Sequence, residues 1–313
     1  MLSRGDGSIR HHAFRDIVAR LRPGDLLVVN RTRVIPARLL GRRASGGRAE
    51  ILLLRPLTGE TWEALLRPSG RIKPGEEIAI GAGFSARVEN PPGAADGLRR
   101  VRLLSGDPAA DIERHGHVPL PPYIRRGDTP RDRERYQTVF ARDPGSVAAP
   151  TAGLHFTPGI LAELATRGVD LAEVVLHVGP ATFLPVRTED PALHRLPAES
   201  FEVPEAAADA VRRTRAHRGR VVAVGTTTTR ALESAATEGG EVRPVAGETD
   251  LVIVPGFHFR VVDALLTNFH LPRSSLLLLV SAFGGVEAIR LAYREAIRAG
   301  YRFYSYGDAM LIE

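Results

Sequence analysis

Short, β-rich apolar runs that stop abruptly at polar or glycine residues recur along this chain. Asp25 to Val29 runs into Asn30, Arg31, Thr32 and Arg33, and Val174 to Val178 carries His177 and ends at Gly179. Arg220 to Val224 leads into Gly225, the four threonines Thr226 to Thr229, and Arg230. Leu251 to Val254 opens onto Pro255, Gly256, Phe257 and His258, and Leu276 to Val280 ends in Ser281. Runs without a polar alternate belong to strands buried on both faces, in sheets covered by helices. Helical stretches lie between them: Pro158 to Arg167, Glu205 to Arg218, Arg230 to Thr237 and Val286 to Ala299, three of them closing at a glycine. The alternation predicts an α/β domain, whose ligands gather at the carboxyl ends of the strands.

From Pro36 to His117 the pattern changes. Ala37 to Leu40, Ala49 to Leu54, Thr61 to Leu66, Glu77 to Ile80, Phe84 to Val88 and Arg99 to Leu104 are strand-length runs between glycine and proline turns, and only Ala109 to Arg114 reads as helical. The expectation is a small all-β barrel at 36–117, inserted into an α/β catalytic domain built from the discontinuous segments 1–35 and 118–313. The insert holds no cluster of catalytic residue types, so its expected task is substrate presentation.

The segment Ser146 to Pro158, SVAAPTAGLHFTP, puts a small-residue turn, a histidine and a helix start within a few positions. Thr157 followed by Pro158 reads as an N-cap with proline in the first helical position. His155 is then expected beside a helix N-terminus, whose partial positive charge suits a carboxylate-bearing ligand and lowers the pKa of an imidazole. A turn that docks the next helix fits the same residues.

Composition narrows the chemistry. With 313 residues there is room for two domains, and the absence of cysteine removes thiol nucleophiles, disulfides and cysteine-ligated zinc. That usage fits a reducing, cytoplasmic setting. The longest apolar stretch, Leu276 to Val280, is far too short to cross a bilayer. The net charge is +6, carried almost wholly by arginine, since Lys73 is the sole lysine. Tyr123, Arg125, Arg126, Arg131, Arg133, Arg135 and Tyr136 interleave planar and cationic side chains, which points to a polyanion with exposed bases, or to a solvated loop.

Phosphate loops (GxxxxGK[ST]), dinucleotide turns (GxGxxG) and nucleophile elbows (GxSxG) are absent. His115 with His117, or His11 with His12, lack a spaced third ligand for a dedicated metal site. What remains is a set of imidazoles and neutral donors: His155, His177, Thr226 to Thr229, His258, Asn268 and His270, with Glu233 as a possible second carboxylate. The threonine run reads either as a donor set for ribose or carboxylate, or as β-branched residues finishing a strand.

Seven motifs carry a resemblance. APTAGLHF (Ala149 to Phe156), NRTRVIPARL (Asn30 to Leu39), GHVPLPPYI (Gly116 to Ile124), YQTVF (Tyr136 to Phe140), VGTTTTRALES (Val224 to Ser234), the stretch Pro255 to Phe283, and YRFYSYGDAMLI (Tyr301 to Ile312) resemble the S-adenosylmethionine:tRNA ribosyltransferase-isomerases of queuosine biosynthesis. The resemblance implies an α/β domain with an inserted β-barrel. It also implies transfer of the S-adenosylmethionine ribosyl group onto 7-aminomethyl-7-deazaguanine at the tRNA wobble position, leaving epoxyqueuosine, adenine and methionine. S-adenosylmethionine is then a consumed substrate, with no separate cofactor, and the RNA partner is the anticodon stem-loop; a monomer is expected.

On that footing His155 or His177 is the candidate general base. Thr151, Gly153, Gly225, Thr226, Thr227, Thr228, Arg230, Asn268 and His270 are expected to bind the small substrate, and Tyr123, Arg125, Arg126, Arg133 and Tyr136 the tRNA. The chain departs from the family pattern in three places. The leader before Gly24 reads as shortened, a family glycine near Ala181 is missing, and Pro197 stands where the family has a histidine in the stretch His194 to Glu199. The shortened leader and Pro197 leave a non-catalytic RNA-binding protein as the alternative; a nucleoside-processing enzyme acting without RNA is the third reading, against which the Arg125 to Arg135 cluster argues.

Overall fold

The computed structural model describes residues 1–89, 98–179 and 185–313; the expectation about Ala181 lies outside the described residues. The chain divides into two compact units, one of Met1–Thr32, Gln137–Asp143 and Ala149–Glu313, the other of Arg33–Tyr136 and Pro144–Ala148. Strand β1 (Leu26–Asn30) is buried at all five positions. The chain passes between the units at the short strands β2 (Thr32–Val34) and, later, β9 (Asp143–Ser146).

The second unit is built on β3 (Arg38–Arg43), β4 (Arg48–Pro56), β5 (Thr61–Arg67), β6 (Glu77–Gly81), β7 (Phe84–Glu89) and β8 (Leu98–Leu104). They close into a barrel in the order β3-β4-β5-β8-β7-β6, every neighbour antiparallel. Alternate residues such as Leu39, Ile51, Leu53, Leu66, Ile78, Val101 and Leu103 fill its interior, as period-two patterning requires. This unit runs wider than 36–117. The Asp128 carboxylate explains part of the extension: it meets His117 Nδ1 at 2.8 Å and accepts the Val118 N–H at 2.9 Å, while Arg133 donates to the carbonyls of Glu113 and Gly116.

The first unit holds a seven-stranded sheet. Its other members are β10 (Asp170–Leu176), β11 (Glu199–Val203), β12 (Val221–Val224), β13 (Val245–Thr249), β14 (Ala264–Asn268) and β15 (Ala309–Ile312), and the order is β13-β11-β10-β1-β12-β14-β15. The four central strands, β10-β1-β12-β14, run parallel, and the flanking strands pair antiparallel. Helices Pro158–Thr166, Glu205–Ala216 and Val286–Arg298 stand where the sequence places them. No single helix among the described residues is long and apolar enough to cross a membrane.

Three expectations are corrected. Leu276 to Val280 is not a strand but lies in the helix Ser275–Gly284, started by the Ser274 hydroxyl, which accepts the Leu277 N–H at 3.2 Å; a short apolar run fits either form. Leu251 to Val254 forms no strand, and its first carbonyl accepts from Arg230 Nε. The threonines do not finish β12, because the helix expected from Arg230 begins at Thr226 and ends at Ser234. The Thr228 and Thr229 hydroxyls bond back to the carbonyls of Val224 (2.7 Å) and Gly225 (3.1 Å), a local contact that lets β-branched residues open a helix.

Glu233, in that helix, is no second carboxylate for a ligand. Its buried carboxylate accepts the backbone N–H groups of Arg260, Val261 and Val262 at 2.9, 3.0 and 3.0 Å, which pins the entry to β14. Replacing Glu233→Ala leaves these donors without their acceptor and is expected to cost about 2–4 kcal/mol, read from urea denaturation; a loss under about 0.5 kcal/mol, within surface-substitution noise, refutes the role.

Beyond β14, His270 Nε2 lies 2.8 Å from the Thr267 hydroxyl and the His270 N–H donates to the Tyr293 hydroxyl at 2.8 Å. Burial pushes the His270 imidazole down to about 4 and the Tyr293 phenol up to about 12. Below an unfolded-state pKa of about 6.5 the unfolded chain takes up a proton that folded His270 refuses, so folding stability falls as pH drops from there toward about 4. Urea midpoints at pH 7.5 and 5.0 should show this loss, and His270→Gln should shrink the gap; an unchanged gap assigns it to other groups.

Candidate functional site

Because β1 is followed in space by β10 on one side and by β12 and β14 on the other, the strand order reverses beside β1. Crevices at such a switch point are where parallel sheets bind ligands. Asn30 closes β1 there and is fully buried. Its carboxamide reaches β10 through the Leu176 backbone and the threonine helix through Thr227 Oγ1, at 3.1 Å.

Gly225, between β12 and that helix, has φ +90°, a conformation that L side chains rarely adopt. The turn leaves Thr226 and Thr227 at the helix N-terminus. These two, with Gly225, Thr151, Asn268, His270, Thr267, Val178 and Leu276, line a small cleft of about 30 Å³.

The segment that leads to His155 lines the same cleft through Thr151. Residues Thr151–His155 form a short 3-10 turn, and the Thr157 hydroxyl caps the next helix by accepting the Ile160 N–H at 3.3 Å. A Cβ at Gly153 would lie 2.6 Å from the Phe140 ring and 2.8 Å from Thr138 Cγ2, so only glycine fits. Thr151 donates to Asn268 Oδ1 at 3.1 Å, and Asn268 Nδ2 donates to the Tyr304 carbonyl at 3.2 Å and lies 3.4 Å from His155 Nε2. The His155 ring stacks on Phe14, with centroids 4.9 Å apart. Burial lowers its pKa, Asp308 opposes the shift and Arg302 adds to it. His155 also borders a cavity of about 380 Å³ whose lining includes Phe14, Phe269 and Tyr301.

His177 follows β10. Its Nδ1 stands 2.7 Å from the Thr32 hydroxyl. Burial lowers its pKa against the opposing charge of Asp143, which is itself paired with Arg31 at 2.7 Å. Both candidate bases are therefore biased toward the neutral imidazole that accepts a proton at neutral pH.

The structure thus gathers Thr151, Gly225, Thr226, Thr227, Asn268 and His270 about one cleft, with His155 joined through Asn268 and His177 through Thr32 and Asn30. Gly153 and Thr228 lie behind it, one for packing and one for the backbone. Arg230 is not turned to a ligand. It is 4% exposed, ion-paired with the buried Glu199, and bonded to the carbonyls of Leu251 and Thr249. Glu199 also accepts the Gly179 N–H at 2.6 Å, tying the end of the run that carries His177 to the threonine helix. Pro197, two residues earlier, is exposed.

In the barrel unit, Tyr136 is fully buried and cannot stack on a base. Arg126 grips Asp132 with both terminal nitrogens at 2.7 and 2.8 Å, and Arg133 holds backbone carbonyls. Tyr123 is half-buried, whereas Arg125, Arg131 and Arg135 are exposed. Among the described residues no group of three or more His, Asp or Glu could hold a metal ion. Sequence reasoning gave no role to Asn30, Thr32 and Glu199, although polar residues closing or following apolar strands were the signal for the first two.

The family model described as queuosine biosynthesis protein matches residues 1–312. The S-adenosylmethionine:tRNA ribosyltransferase-isomerase of Geobacter metallireducens is 52% identical over 310 residues, covering 98% of this chain and 90% of that protein. The protein of the same name from Anaeromyxobacter dehalogenans is 53% identical over 317 residues, covering 100% and 91%. The crystal structure of an S-adenosylmethionine tRNA ribosyltransferase from Thermotoga maritima matches with a TM-score of 0.54 at 39% identity, over 100% of this chain and 90% of that one. By family model, by relatives and by structure, over nearly all of its length, this chain belongs to the queuosine biosynthesis protein family.

Proposed function

We propose that the protein is an S-adenosylmethionine:tRNA ribosyltransferase-isomerase, which moves the ribosyl group of S-adenosylmethionine onto 7-aminomethyl-7-deazaguanine at the tRNA wobble position and rearranges it to epoxyqueuosine. The observation that carries this reading is the match to relatives of that name at 52 and 53% identity across 98–100% of the chain. The neutral imidazoles and hydroxyls at the sheet switch point support it, because the reaction needs a base and neutral donors rather than a metal or a phosphate loop.

The sulfonium acidifies the adjacent 5′ carbon. A base removes a proton there to leave a ylide, the ring oxygen expels adenine from the anomeric carbon, and the substrate amine bonds at that carbon and loses its proton. The C1′–O4′ bond then opens to an iminium and a C4′ alkoxide, the ylide carbon C5′ attacks C1′ to close the carbocycle, and the alkoxide displaces methionine from C5′ as the epoxide forms. His155 and His177 are the candidate bases. In this reading Thr151, Thr226, Thr227 and Asn268 hold ribose hydroxyls or the methionine carboxylate, and Arg230, locked to Glu199, supports the helix instead.

The RNA partner we assign is an anticodon stem-loop, bound by the barrel unit of a monomeric, cytoplasmic enzyme. That unit, Arg33–Tyr136 with Pro144–Ala148, carries nineteen Lys and Arg against thirteen Asp and Glu. Its excess of six equals the net charge of the whole chain, which leaves the α/β unit neutral overall. A phosphodiester backbone is drawn to the charged unit.

The test is incubation with S-adenosylmethionine and tRNA bearing 7-aminomethyl-7-deazaguanine, following adenine release and the mass of the wobble nucleoside. tRNA-dependent release with the epoxyqueuosine mass supports the transferase; binding without release supports a non-catalytic scaffold. His155→Ala or His177→Ala should lower turnover about a hundredfold or more for whichever is the base, and near-normal turnover removes that residue from the role. Replacing Arg125, Arg131 and Arg135 together by alanine should weaken tRNA binding and flatten its dependence on salt; an unchanged slope places the RNA elsewhere.

A further inference from the structure

Asn30 Oδ1 accepts the N–H groups of Leu176 and Thr32, both at 3.1 Å, while Nδ2 donates to the Leu176 carbonyl at 2.9 Å and to Thr227 Oγ1 at 3.1 Å. A primary amide has two donors and two acceptor sites, so all four are used. The orientation is also fixed, because a flipped amide would set its NH₂ against two backbone N–H groups. One side chain therefore anchors the backbone of Thr32 and of Leu176, the residue immediately before His177. The 2.7 Å contact between Thr32 Oγ1 and His177 Nδ1 is suspended between those two anchored points. Thr32 is 0% exposed, so bulk water does not compete for this contact.

We propose that Thr32, anchored by Asn30, is a positioning residue that accepts the Nδ1–H of His177, which holds the ring in one orientation and leaves Nε2 as the unprotonated nitrogen. A base oriented by a third group through its other nitrogen is a recurrent arrangement. Only the Nδ1–H tautomer leaves a lone pair on Nε2, while the opposite tautomer makes Nε2 a donor and disables His177 as a base at that atom. The inference rests on the reading of His177 as a candidate base and goes beyond it by naming what sets its tautomer.

Nitrogen-15 labelling of the histidines, with ring resonances assigned by comparison with His177→Gln, reads the tautomer directly in the unliganded protein. The expected result is Nδ1–H for His177 in the wild type, lost in Thr32→Val and restored in Thr32→Ser. In the adenine-release assay Thr32→Val should lower kcat about tenfold or more while KM for S-adenosylmethionine stays within about twofold, and Thr32→Ser should recover most of the rate. An Nε2–H tautomer in the wild type overturns the proposal, as does a Thr32→Val protein with unchanged tautomer and kcat. The wild-type spectrum decides even if Thr32→Val fails to fold. A wild-type protein that releases no adenine refutes the ribosyl-transfer reading and leaves the tautomer result standing, so the two failures are distinguishable.

Discussion

The carboxamide of Asn30 is the contact on which the site depends. A parallel sheet brings the ends of β1, β10 and β12 to one edge, but backbone pairing alone leaves their last residues free to fray. Asn30 stops that by joining the end of β1 to the Leu176 backbone of β10 and to Thr227 at the head of the next helix. Each bond is worth only about 1 kcal/mol net. Losing the amide would nevertheless strand buried backbone groups on two strands at once, a larger penalty than the sum of what it contributes.

Around this anchor the site is assembled from segments distant in sequence, and each is held by its own local device. Gly225 takes the turn that β12 needs to enter its helix, Gly153 lets the 3-10 turn press against Phe140, and Asn268 fastens Thr151 to the end of β14. None of these is chemistry, yet all fix where the hydroxyls and imidazoles stand. The rigidity comes from a backbone turn, close packing and side-chain hydrogen bonds, which suits a reaction whose intermediates must be held through several bond changes.

Much of this was legible in the sequence. The barrel strands came out within a few residues of their observed limits because period-two burial and glycine turns mark them plainly, and β1 and β12 because they are almost wholly apolar. Of β10 only the apolar end from Val174 was legible, since Asp170 and Glu173 interrupt its first half. β11 and β13 escaped notice: β13 is exposed at four of five positions, so no apolar pattern exists to read. Leu276 to Val280 misled because five consecutive apolar residues fit a strand or a buried helix equally, and the deciding signal was one serine at the N-cap. Arg230 and Tyr136 misled for a shared reason. Side-chain type suggests a ligand-facing role, while burial against Glu199, or within the core, depends on partners that only the fold brings together.

The Arg230–Glu199 pair shows what such a partnership does over longer times. Both groups lie out of water, and removing either one leaves a buried charge without its counterion, a loss of about 3–5 kcal/mol. Replacing both together by apolar groups of similar volume carries no such penalty. Drift at these two positions is therefore coupled: a lineage passes from the ion pair to any alternative only by changing both residues nearly at once. Glu199 also holds Gly179, so that passage would need a third accommodation, and the pair acts as a single heritable unit.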